Sequence, residues 1–148
     1  MKKFPYKDAK AMVRKICASA AAGEFDAREK FISMMDQHPD IAVQGYNPYG
    51  KIFFWNEASV QVYGHSEAEA VNRDLFDLIL PPEMRTFARD MVTCGVKTGR
   101  MPESGACDLI HRDGGLVSVY SGHLVFRWKS GTPEFYCLDV PLDTDTVS

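Results

Sequence analysis

Between residues 8 and 22, apolar side chains fall at Ala9, Met12, Val13, Ile16, Cys17 and Ala20, with Lys10, Arg14 and Lys15 turned away from them. This recurrence predicts an amphipathic helix that closes at Gly23. A second helical pattern covers 27–37, with Phe31, Met34 and Met35 on one face, and Pro39 bars its extension. The period then changes. Residues 41–46 alternate weakly, Asn47-Pro48-Tyr49-Gly50 supplies turn formers, and 51–55 is dense in β-forming residues, which together predict a hairpin. Simple alternation sets Ile52 and Phe54 on one side of its second strand and Phe53 and Trp55 on the other, so both faces need cover. Helices are expected on one face, and the N-terminal helices or a second subunit on the other.

Asn56 has the chemistry of an N-cap for a short helix that Gly64 closes. Ser66 and Glu69 form a capping-box pattern for another short helix, and Asn72 suits the left-handed residue that ends it. Pro81 and Pro82 stop the apolar run before them, and Pro82 opens a longer helix over 83–98, closed by Gly99, with Met84, Phe87, Met91 and Cys94 expected on its inner face. Three strands follow: 105–112, 116–128 and 134–140. Asp113-Gly114 turns between the first two, and Ser130-Gly131, within 129–132, between the last two.

The chain has 148 residues, enough for one domain with a real core. Its 45% hydrophobic and 25% charged residues are those of a globular protein. A net charge of −3 lacks the basic field that nucleic-acid binding needs, so no nucleic-acid partner is expected. The longest apolar stretches, 52–55 and 75–80, fall far short of the ~20 residues that cross a bilayer, so no membrane partner is expected and the location read is cytoplasmic. The four cysteines, Cys17, Cys94, Cys107 and Cys137, form no C-x-x-C pair and suggest neither a zinc site nor a disulfide framework.

The element order, two strands, short helices, one longer helix and three antiparallel strands, implies an α+β fold with a five-stranded sheet and helices on one face. That order resembles the PAS family, and local motifs agree. Pro39-Asp40-Ile41, Gly50-Lys51-Ile52, Trp55-Asn56-Glu57-Ala58 and Tyr63-Gly64-His65-Ser66-Glu67 are similar to family motifs of the first half. The 77–83 segment and Arg112-Asp113-Gly114-Gly115 resemble those of the second. The resemblance covers about residues 31–141. It implies an N-terminal cap or dimerisation helix over 1–26, a PAS domain over 27–141 and a tail over 142–148. Asp139-Val140-Pro141 keeps the Asp of the family's closing motif and replaces its continuation with proline.

What the resemblance implies is a sensory or regulatory domain of signal transduction or transcription regulation, without catalysis of its own. Such a domain binds a small molecule or an effector protein and acts through a homodimer. Candidate pocket residues are Phe54, Phe87, Met91, Cys94 and His65; candidate dimer residues are Met12, Val13, Ile16 and Cys17. The cofactor is left open. The long helix has no histidine for haem iron, and no flavin-reactive cysteine motif occurs. His111 and His123 stand too far apart along paired strands to share a metal. The competing readings are a ligand-free dimerisation module and a small isomerase-type enzyme using Asp108, His111 or His123, although no catalytic fingerprint is present.

Overall fold

The computed structural model describes residues 1–128 and 131–144. Two N-terminal helices, α1 (Tyr6–Ala21) and α2 (Arg28–Met35), lead into β1 (Ala42–Tyr46) and β2 (Ile52–Trp55). The short helices α3 (Glu57–Tyr63), α4 (Glu67–Ala70) and α5 (Leu75–Ile79) come next, then the long α6 (Pro82–Thr98). The strands β3 (Gly105–Ile110), β4 (Leu116–Phe126) and β5 (Glu134–Pro141) complete one sheet in the order β2-β1-β5-β4-β3, every neighbouring pair antiparallel. The expected α+β fold is therefore present. The strand β3 stops two residues short of the sequence expectation, beside the tight turn at Gly114, where φ is +94°, and β4 stops two residues short at its far end, at Phe126. The predicted Ser130-Gly131 turn falls partly on residues 129 and 130, which lie outside the described residues, as does the tail from 145 onward.

Local chemistry fixes the short helices. Asn56 caps α3 by accepting from Ser59 N, and the same side chain ties the helix to β1 by accepting from Val43 N and donating to the Ile41 carbonyl. Gly64 closes α3 at φ +82°, a conformation that costs glycine least. The Ser66–Glu69 capping box forms, and Asn72 takes φ +73°. Asp74 caps α5 through Phe76 N and Asp77 N, and Arg89 of α6 reaches Asp74 across 3.0 Å, which locks α5 against α6.

Simple alternation fails in β2. Tyr46 pairs with Ile52 but Gly45 pairs with Phe54, so Phe53 is an extra residue in a β-bulge. Ile52 and Trp55 consequently both face the inner core, while Phe53 and Phe54 both join the outer one. This corrects the expectation that put Phe54 with Ile52.

Two cores flank the sheet. The inner one lies under α3, α4, α5 and α6. The outer one lies under α1 and α2: α1 runs over β4 and β5, and Phe31 of α2 packs on Tyr136 and Phe126 at 4.8 and 5.1 Å between ring centroids. Of the residues expected at a dimer interface, Val13 and Ile16 are 0% and 2% exposed within the chain itself, and Met12 and Cys17 are partly covered by the same core. The apolar stripe of α1 is thus covered by its own sheet. Gly122 makes this fit possible, since a Cβ there would collide with Val13 Cγ1. The start of the chain is also fastened: Phe4 N donates to the Pro141 carbonyl, and Asp143 N donates to the Phe4 carbonyl.

Candidate functional site

A cavity of about 240 Å³ lies between α5, α6, residues 101–107 and the inner sheet face. Its walls are mostly apolar, with Leu75, Phe76, Ile79, Leu80, Met84 and Leu109 among them. Strand pairing sets a polar stripe on its floor. Ser121 is opposite Asp139 and His123 opposite Cys137, because these residues occupy inward positions of β4 and β5. Exposed Phe87 and Glu103 stand at the rim.

The floor is electrostatically unusual. Asp139 is 0% exposed, and burial lifts its carboxyl to about 6 although Ser121, Tyr63 and Gln44 act in the opposite direction. Its Oδ2 accepts from Tyr63 Oη, but Oδ1 has no hydrogen-bond partner among the described residues. Ser121 and Gln44 lie near enough to favour the carboxylate, yet neither makes a hydrogen bond of good geometry to Oδ1. Burial also depresses His123 to about 4, which keeps its imidazole neutral at ordinary pH, with Nδ1 at 3.7 Å from Cys137 Sγ. The Cys107 and Cys137 thiols are pushed up by burial, the first to about 12, so neither is a ready thiolate nucleophile.

Behind this floor a buried relay joins β1 to α3. Gln44 Nε2 donates to Ser59 Oγ, and Ser59 Oγ donates to the Val43 carbonyl. Among the described residues, no group of three or more His, Cys, Asp or Glu could hold a metal ion, and no helix is long and apolar enough to cross a membrane.

The expected pocket residues divide. Phe87 and Met91 line the cavity. Phe54 does not, because the bulge turns it to the outer face. Cys94 lies exposed on α6, its Sγ near Thr98 Oγ1, and His65 sits beside Trp55, whose Nε1 donates to the His65 carbonyl. The true inner face of α6 is rotated from the expected one and carries Val92 and Gly95, both buried. Gly95 lets the helix settle, since a Cβ there would come within 2.8 Å of Met101 Sδ and 2.9 Å of Phe135 Cε1. Sequence reasoning missed Asp139, Ser121 and Cys137 as cavity residues and weighed His123 only as a metal or catalytic candidate. The signal lay in the alternation of β5, where Phe135, Cys137 and Asp139 share one face.

The family profile described as PAS fold matches residues 33–138. Several solved structures share the architecture. The PAS domain of a protein from Colwellia psychrerythraea is 16% identical with a TM-score of 0.62, the match covering 75% of this chain and 96% of that one. The PAS domain of the RpfR quorum-sensing receptor of Cronobacter turicensis, solved in complex with C12:0, is 17% identical with a TM-score of 0.54, over 70% and 95% of the two chains. Drosophila melanogaster Cycle PAS-B with bound ethylene glycol is 13% identical with a TM-score of 0.54, over 68% and 99%. No curated protein matches the sequence. This chain belongs to the PAS family, whose domains are generally sensory or regulatory rather than catalytic.

Proposed function

We propose that this chain is a sensory module whose cavity binds a small molecule and whose occupancy is passed to an effector protein or to a second copy of the chain. The observation that carries this reading is the cavity itself: apolar walls around a few converging polar groups, which is the usual composition of a ligand site. Its 240 Å³ falls below the roughly 300–1,000 Å³ of sites for drug-sized molecules, so the ligand is small. The ligands held by the C. turicensis and Drosophila domains support a small molecule in this fold.

A route for the signal supports the same reading. Ser121 and His123 floor the cavity, and Gly122 between them lies under Val13 of α1. A ligand that shifts β4 therefore acts on the seat of α1, an element at the surface. The test is thermal unfolding and native mass spectrometry of the protein as purified and after exhaustive dialysis. A bound small molecule should raise Tm with its concentration, and Ala88→Trp, which fills the cavity, should abolish the effect. Equal Tm shifts in wild type and Ala88→Trp would contradict the proposal.

A further inference from the structure

Resting on the cavity reading above, we infer that the ligand is an apolar body bearing one hydrogen-bond donor, an ammonium or a hydroxyl, presented to Asp139 Oδ1, and that carboxylates are excluded. Asp139 is fully buried and lines the cavity; Tyr63 occupies Oδ2, whereas Oδ1 has no partner among the described residues. A buried acceptor left unpaired carries a desolvation cost that an arriving donor removes. The other unpartnered buried oxygen among the described residues, Gln44 Oε1, belongs to a side chain that does not line the cavity.

Charge points the same way. Among the described residues no Lys or Arg lines the cavity, and the ionisable lining members are Asp139, Glu103, His123, Cys107, Cys137 and Tyr46. At neutral pH His123 is uncharged and Asp139 is largely ionised, so among the described lining residues an entering carboxylate meets a like charge and no cation. A donor, charged or neutral, meets an acceptor. The apolar walls set the rest of the ligand. Dry cavities of about 150 Å³ hold benzene, so one of 240 Å³ seats a benzyl group with its polar substituent.

Four probes that share this body test the inference: toluene, benzyl alcohol, benzylamine and benzoate, titrated at pH 7.5 by calorimetry and NMR. Benzyl alcohol and benzylamine should bind at least tenfold tighter than toluene, and benzoate at least tenfold weaker. Asp139→Asn, which keeps an acceptor for Tyr63, should remove the gain of the donors and the exclusion of benzoate while toluene affinity is retained. A benzylamine affinity well above that of benzyl alcohol would assign the ligand as a cation, and the reverse would assign it as a neutral alcohol; both support the inference. Should Asp139→Asn not fold, wild type at pH 5 serves instead: protonation of Asp139 should cut the advantage of benzylamine about tenfold with toluene unaffected. Benzoate binding as tightly as toluene, or a donor preference that survives both Asp139→Asn and pH 5, would overturn the inference alone. Failure of all four probes to bind, toluene included, would overturn the cavity reading and this inference with it.

Discussion

Tyr63 Oη donates to Asp139 Oδ2 across 2.5 Å, and both side chains are fully buried. The contact joins α3 to β5 and gives the carboxyl its one direct hydrogen bond among the described residues. Burial lifts the pKa of the acid, and the phenol opposes that lift by favouring the ionised form. Tyr63→Phe should therefore cost about 1–3 kcal/mol in urea unfolding and move the Asp139 titration further above 6, as read by carboxyl ¹³C NMR. An unchanged stability together with an unchanged titration would contradict this account of the pair.

Asp139 and His123 should oppose each other in their pH dependence. The folded-state pKa of Asp139 is raised from 3.8 to about 6, so its stabilising contribution is full below about pH 4 and is lost as pH rises through 6. The folded-state pKa of His123 is lowered from 6.5 to about 4, so its contribution is full above pH 6.5 and is lost as pH falls toward 4. Each gradient is on the order of 3 kcal/mol, and in the wild type they largely cancel. The neighbouring Tyr46, Tyr63, Cys107 and Cys137 are all pushed upward by burial and do not titrate in this window. Relative to wild type, Asp139→Asn should lose stability between pH 6.5 and 4.5, and His123→Gln should lose stability between pH 4.5 and 6.5. Parallel pH profiles for the two variants, measured by chemical denaturation, would refute the assignment.

The docking of α1 is open to a direct test. Ile16→Glu puts a charge into a contact that is 2% exposed, and Gly122→Ala drives a methyl into Val13. Each should lower thermal stability, Ile16→Glu by several kcal/mol, without changing the mass of the particle in light scattering. A wild-type dimer that Ile16→Glu dissociates into folded monomers would instead show that α1 serves a partner chain.

Much of the fold is legible in the sequence because its punctuation is local. Asn56, Gly64, the Ser66–Glu69 pair, Asn72, Pro82 and Gly99 each act within a few residues of their own position, and each takes the role its chemistry predicts. The faces were harder to read. A strand that is apolar at every position, Ile52 to Trp55, gives alternation nothing to distinguish, so the bulge at Phe53 leaves no trace in the pattern. The spacing of Met84, Phe87, Met91 and Cys94 gives the expected stripe of α6, whereas the small Ala88 and Gly95 set how the helix packs. For α1 the stripe was plain, but its partner is a long-range choice that periodicity does not encode. Asp139 was visible only as part of a motif. Its place in the cavity depends on the register of β4 with β5, which joins residues far apart in the chain.

The central claim, that the space between α6 and the sheet is a ligand site, is tested most directly through its methionines. Met84, Met91 and Met101 line the cavity, whereas Met1, Met12, Met34 and Met35 do not. In a methyl NMR titration of the intact protein with benzyl alcohol, the first three signals should shift saturably along one isotherm while the other four stay still. In Ala88→Trp the first three should no longer respond. Shifts spread evenly over all seven methionines, or a response of Met84, Met91 and Met101 that persists in Ala88→Trp, would contradict the claim.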